Sequence, residues 1–355
     1  MSDKAKNQKF EYISHLKTVS ILVVVIYHCF LFYADEPFFP VQATQNVPAC
    51  IFIDYFFSIF HNPALFMCSG FLFAHSLFNK NRTIPQMILN RSKRLILTYY
   101  IYGFLWLVPT YTFLNVNAYG RPENAGYLEG FKYMILGVFS DPLWFLWALF
   151  WTTLFYILIS PVIKKRWYPV SIILTLAFYF LIKYPLADFP YFKISQLCPI
   201  ILAFYLGIVL YDADKFFNKL PVWVLLSFTF IMYANGVVFA CCSPTYPTWE
   251  AISKAAGAFG SYCLFLAIHK LGLFKRFFGS KFFAYTDKKS FNIYLLHTTF
   301  LYLAFRMIYP MIGEHVLMTI ILIAFETYLH TYLATYVQDM VKGGFSRIVK
   351  RLKKD

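Results

Sequence analysis

The sequence predicts an all-α fold, a polytopic integral-membrane bundle of about ten transmembrane helices. Three observations carry this. Hydrophobic residues make up 59% of the chain and aromatic residues 22%, against 14% charged. Apolar runs of bilayer length recur from end to end, and the basic residues gather in short clusters between them. A length of 355 residues would by itself suggest about two soluble domains, but this composition excludes them. The net charge of +15 does not point to nucleic acid, because positive-inside topology produces the same clustering and no soluble domain is left to bind DNA or RNA.

The apolar runs fall at residues 16–33, 51–77, 95–114, 142–162, 167–184, 196–211, 221–242, 255–272, 290–309 and 316–336. With the N-terminus inside, the alternating connections collect most of the Lys and Arg residues on the cytoplasmic side, which predicts a multi-pass cell-membrane protein with both termini cytoplasmic. Residues 1–340 read as a single transmembrane domain and 341–355 as a basic cytoplasmic tail lying on the membrane surface. The segment 115–141, with Gly120, Pro122, Gly126 and Gly130, breaks the pattern and is expected at the interface or partway into the membrane. Seven cysteines lie mostly inside apolar runs without CxxC or Cys/His spacing, so they read as small hydrophobes and no metal site is expected.

The first run starts at its basic edge with Lys17 and carries His28 where a plain anchor would have another apolar residue. It reads as a retained signal anchor. Eleven residues at about 1.5 Å each put the imidazole roughly 16 Å along the helix, near the middle of the hydrocarbon. Two readings stay open for His28: a neutral histidine satisfied by a neighbouring helix, and a base or relay at a buried site.

The second run places Asp54, Ser58 and His61 at i, i+4 and i+7, one face of a continuous helix that also contains Pro63. Arg91 and Arg94, one turn apart before the third run, have forked guanidiniums suited to phosphate oxygens; a purely topogenic cluster would look similar. Asp141-Pro142-Leu143-Trp144 opens the fourth run, where Trp144 also fits an interfacial anchor. Tyr294 and His297 share a face of the ninth run, and Glu326 and His330 form an i, i+4 pair in the tenth that reads as structural.

Taken together, these residues give a resemblance. Lys17, ten intervening residues and His28, with the Val-Val-Val-Ile-Tyr-His run, resemble the first motif of the membrane acyltransferase-3 family, whose members decorate bacterial surface glycans. Phe60-His61-Asn62-Pro63 with Ser69-Gly70-Phe71 resembles its branch related to fucose O-acetylases, Arg91-x-x-Arg94 its basic pair, and Trp144-Phe145-Leu146 and Ile293-Tyr294-Leu295-Leu296-His297 its later motifs. The resemblance covers roughly residues 10–310. Lys17 stands where the family usually has Arg, keeping the charge without the planar fork; Asn62 replaces an apolar residue.

The resemblance implies an O-acyltransferase that moves an acyl group, most simply acetyl, from cytoplasmic acyl-CoA to a sugar hydroxyl of a surface polysaccharide or its lipid-linked precursor. Acetyl-CoA is then the donor substrate, and no metal is needed. Such a reaction needs a base for the hydroxyl proton, support for the developing oxyanion and cations for the coenzyme phosphates. His28 is assigned as the base, His61 and Tyr294 to orientation or oxyanion support, and Lys17, Arg91 and Arg94 to the donor. Asp54, Trp144 and His297 are assigned to the acceptor side. His61, Ser69 and His297 are interchangeable at this stage, and a covalent relay through one of them stays open. The expected surroundings are acyl-CoA, the glycan and the bilayer, with a homo-oligomer or a glycan-synthase complex as open arrangements. A glycan exporter without chemistry is the alternative; paired repeats with broken helices would favour it, and a single Pro-containing polar run is seen. A non-catalytic partner of a synthase would tolerate loss of His28.

Overall fold

The computed structural model describes residues 10–34, 41–114, 126–138, 143–242 and 247–352. Every regular element among them is helical: α1 (Glu11–Leu31), α2 (Pro48–Ser58), α3 (His61–Asn79), α4 (Ile84–Tyr102), α5 (Val108–Phe113), α6 (Tyr127–Ile135), α7 (Trp144–Leu158), α8 (Ser160–Lys164), α9 (Tyr168–Lys183), α10 (Ile201–Phe217), α11 (Val222–Cys242), α12 (Pro247–Leu271), α13 (Lys275–Phe278), α14 (Lys281–Ile312) and α15 (Val316–Leu352). Each apolar run of the sequence overlaps one or more of these helices. Among the described residues, six segments are long and apolar enough to cross a bilayer: Glu11–Leu31, Pro48–Asn79, Val222–Phe239, Trp249–Leu271, Lys281–Ile312 and Val316–Val341. Trp144–Leu158 and Tyr168–Lys183 are shorter apolar helices. The protein is a multi-pass, all-α membrane bundle.

The second run is not one continuous helix. It breaks at Ile59 and Phe60, between α2 and α3. Pro63 is the reason: its ring would collide with the carbonyl four residues earlier, that of Ile59, and its missing N–H costs least in the first turn of a new helix. The carbonyl turned outward at Ile59 lies against Gly257 of α12, where a Cβ would stand 2.4 Å from it. Asp54 and Ser58 therefore belong to one helix and His61 opens the next. The third run is interrupted too, by a π-turn at Gly103–Leu107 between α4 and α5, of the kind that often accompanies a Pro such as Pro109.

Helix α1 is packed by α2, α3, α12, α14 and α15. It runs beside α14 in the same direction, since Lys17 pairs with Asp287 near their starts and Phe32 stacks on Phe305 near their ends, ring centroids 4.0 Å apart. Helices α3 and α10 approach until backbones touch. A Cβ on Gly70 would meet the Phe204 carbonyl oxygen at 2.0 Å, and one on Gly207 the Met67 carbonyl oxygen at 2.0 Å. This is small-residue packing of the membrane kind. Buried Asp214 of α10 accepts hydrogen bonds from Tyr12 of α1 and, at 3.1 Å, from Tyr262 of α12, tying three helices through a satisfied carboxylate.

Gly120, Pro122, Asp141 and Pro142 lie outside the described residues; Tyr127–Ile135 between them forms α6, whose Gly130 packs against Val108 and whose Leu128 is exposed. The last helix runs unbroken through residue 341 to Leu352, so the basic tail begins inside a helix.

Candidate active site

Helix α4 begins at a capping box. The Thr83 backbone N–H donates to Gln86 Oε1 at 3.2 Å, and the Gln86 N–H donates to the Thr83 hydroxyl at 3.5 Å. Fixing the start there puts Met87, Asn90, Arg91, Arg94 and Leu95 on one face, at i, i+3, i+4, i+7 and i+8. That face forms one wall of a cavity of about 420 Å³, opposite α3, which contributes Ser69 and Phe73. The α3–α4 connection adds Lys80 and Arg82 to the rim, α1 adds Lys17, and Phe145 and Tyr294 line it from α7 and α14. Five basic residues and no acidic one line this space. Such a cavity concentrates anions and excludes cations.

Lys17 is held at the wall from behind. Its Nζ lies 3.0 Å from Asp287, whose carboxylate also accepts from Ser14 at 2.9 Å and Thr18 at 2.6 Å. Asp287 carries no sequence motif of its own, sitting in an Asp287-Lys288-Lys289 cluster. Its spacing to Ser290 and Tyr294, i+3 and i+7 on one helix face, was the signal that could have found it.

Beyond the cavity, rings lead inward. Tyr294 touches Phe145 (centroids 5.1 Å) and His297 (5.6 Å), and His297 touches His28 (5.0 Å). Tyr27 then contacts His28 at 5.2 Å and His61 at 4.3 Å, while its hydroxyl donates to Asp54 at 2.6 Å. Three helices thus link three histidines in a row, His297 to His28 and His28 through Tyr27 to His61; Tyr27 is a residue the sequence pattern did not single out.

All three histidines have the same hydrogen-bond polarity. Nδ1 lies 2.6 Å from a carbonyl of the same helix or turn: Val24 for His28, Phe57 for His61, Tyr294 for His297. A carbonyl can only accept, so each Nδ1 carries a proton, and in the neutral form of such a ring Nε2 is the acceptor nitrogen. In that form His61 Nε2 can accept from a hydroxyl. His61 is 2% exposed and His297 0%, and neither Nε2 has a hydrogen-bond partner among the described residues.

The remaining sequence candidates are placed by other contacts. Ser69 lines the cation cavity, with its hydroxyl donating to Leu65 at 2.8 Å. Trp144 opens α7 and meets Phe145 edge-on, centroids 6.2 Å apart. Glu326 and His330 pair at 3.2 Å on a substantially exposed face of α15, as a structural pair would.

Fold and site together define a class: a multi-pass membrane protein with a cation-walled cavity whose lining residue Tyr294 packs against His297, one of three clustered histidines. A family model described as an acyltransferase domain matches residues 10–332. The chain belongs to the acyltransferase-3 family and is a membrane acyltransferase. Neither the curated proteins nor the solved structures hold a significant match to it.

Proposed function

We propose that this acyltransferase moves an acetyl group from cytoplasmic acetyl-CoA to a sugar hydroxyl of a cell-surface polysaccharide or its lipid-linked precursor, in the cell membrane with both termini cytoplasmic. The observation that carries this reading is the cavity walled by Lys17, Lys80, Arg82, Arg91 and Arg94, whose inner lining residue Tyr294 is in contact, through His297, with His28. Coenzyme A bears several phosphate charges on a long flexible arm. The arginines suit those phosphates through paired N–H donors, and the thioester reaches inward past Tyr294.

In the transfer step His28 Nε2 takes the proton of the acceptor hydroxyl as its oxygen bonds to the thioester carbonyl carbon. The C–S bond then breaks, the ester is formed, and the departing thiolate recovers a proton as free coenzyme A. His28 Nδ1–H on the Val24 carbonyl selects the tautomer that makes Nε2 the base, and that carbonyl still holds the Nδ1 proton when Nε2 has taken the second one. Binding in a buried site also keeps water from intercepting the thioester.

The test is transfer by the purified full-length protein in nanodiscs. Radiolabelled acetyl-CoA is mixed with envelope polysaccharide whose esters have been removed by mild alkali. Label should appear in the glycan in alkali-labile form. Transfer only from another acyl-CoA would overturn the acetyl assignment, and label in no glycan fraction would overturn the acceptor class.

A further inference from the structure

Two of the clustered histidines present buried hydrogen-bond acceptors without matching donors among the described residues. His61 and His297 keep Nε2 lone pairs that are buried and unpartnered, and their Nδ1 protons are already spent on Phe57 and Tyr294 carbonyls. The hydroxyl of Tyr27, whose ring packs on His61, donates to Asp54 instead. A buried acceptor without a donor is destabilising because it has given up water for nothing, and the fold carries two of them in the same cluster as His28. Packing does not explain this, because an apolar side chain would fill either position at no such cost. A ligand that brings donors does.

From this we infer that the acyl acceptor is a vicinal diol: one hydroxyl reacts on His28 while its neighbour donates to His297, and His61 takes a third donor or the alternative hydroxyl across Tyr27. The spacing supports neighbouring hydroxyls over remote ones, since the His28 and His297 rings are only 5.0 Å apart. Polarity supports hydroxyls over other groups. A phosphate or carboxylate would face lone pairs and be repelled, and a lone hydroxyl reacting on His28 would leave both the His61 and the His297 nitrogen unsatisfied. The inference rests on the O-acetyl transfer reading and narrows it to a chemical class. It also assigns His61 and His297 to recognition, distinct from the base.

Periodate cleaves vicinal diols and leaves isolated hydroxyls intact, which supplies the test. De-esterified envelope polysaccharide, untreated or oxidised with periodate and reduced with borohydride, is offered to the nanodisc protein with acetyl-CoA. Untreated glycan should be acetylated and treated glycan not. His61→Leu and His297→Leu should each raise KM for untreated glycan about tenfold, as expected for one lost hydrogen bond near 1.4 kcal/mol, with acetyl-CoA affinity unchanged. His61→Gln, which keeps a carbonyl acceptor, should recover most of the loss, and wild-type affinity for acetyl-CoA in each variant certifies its fold. Equal transfer to both glycans, or KM within twofold of wild type in both Leu variants, would mean that the nitrogens hold only buried water, and the inference falls. If wild type acetylates neither glycan, the acetyl-transfer reading itself falls and takes the inference with it.

Discussion

Replacing Arg91 and Arg94 together with alanine separates donor binding from chemistry. Both side chains line the cation cavity from one face of α4. Arg91 is half-buried, so a charge-assisted contact to phosphate is worth about 1.5–3 kcal/mol there; Arg94 is exposed and its share is screened to roughly 0.5–1 kcal/mol. The sum, about 2–4 kcal/mol, corresponds to a 30- to 1000-fold weaker Kd for acetyl-CoA, and the loss should shrink at high salt. His28→Ala touches no cavity wall, so its Kd should stay near wild type while transfer falls by roughly 100-fold or more. Calorimetric titration of acetyl-CoA into each purified variant reads the first quantity, and single-turnover transfer with saturating donor reads the second. Unchanged affinity in the double variant would make the basic pair a topology signal only. Equal loss of affinity in both variants would defeat the division between a phosphate clamp and a buried base.

Three further outcomes follow from named contacts. Lys17→Met should weaken acetyl-CoA binding by about tenfold or more, because it removes a cation and leaves Asp287 facing the cavity without its counter-charge. Adding Asp287→Asn should restore part of that affinity, and a double variant no better than Lys17→Met would show that the carboxylate has no influence there. Gly70→Ala should lower the melting temperature of the purified protein markedly, since its Cβ would lie 2.0 Å from the Phe204 carbonyl oxygen and overpacking of this kind costs about 1–3 kcal/mol or more; an unchanged melt would refute the backbone contact. Asn90→Cys, in a Cys241→Ser background to remove an exposed thiol, should react with an impermeant maleimide only from the cytoplasmic side, and labelling from outside would invert the topology.

The helices were legible in the sequence because bilayer-length apolar runs have few other structural outcomes, and each one overlaps helix in the structure. What the sequence hid were events inside a run. Pro63 read as an interior proline in a polar helix, whereas it is the third residue of a fresh one, and periodicity alone cannot tell a kink from a restart two residues earlier. His28, His61 and His297 were each recognisable as costly polar residues in apolar segments. Their meeting was not, because it depends on the order in which α1, α3 and α14 pack. Asp287 was masked by its own neighbours, since an acid beside two lysines at a span start looks like topogenic charge. Tyr27 was masked because an aromatic residue in an apolar helix carries no polar signal until its hydroxyl has a partner.

The parallel pairing of α1 with α14 sets a polar level, a histidine level and an aromatic level one after another along the bundle. Near their starts the pair is polar, with Lys17 on Asp287 beside the cation cavity. Ten or eleven residues further along each helix, about 15–16 Å at helical rise, the same two helices bring His28 against His297. One or two turns beyond, Phe32 stacks on Phe305, both fully or nearly fully buried. Because both helices run the same way, each level is made by one residue from each, and sliding either helix by a single residue would turn its side chains by about 100° and undo every level at once. The ion pair and the aromatic stack therefore fix the register in which the histidines meet. That rigidity suits the proposed base, which has to hold its hydroxyl oxygen about 3–3.5 Å from the thioester carbon in an attack-ready geometry. The Phe32–Phe305 stack lies on the side of the histidines away from Lys17 and Asp287, so on the proposed route a donor entering through the cavity reaches His28 without passing that stack.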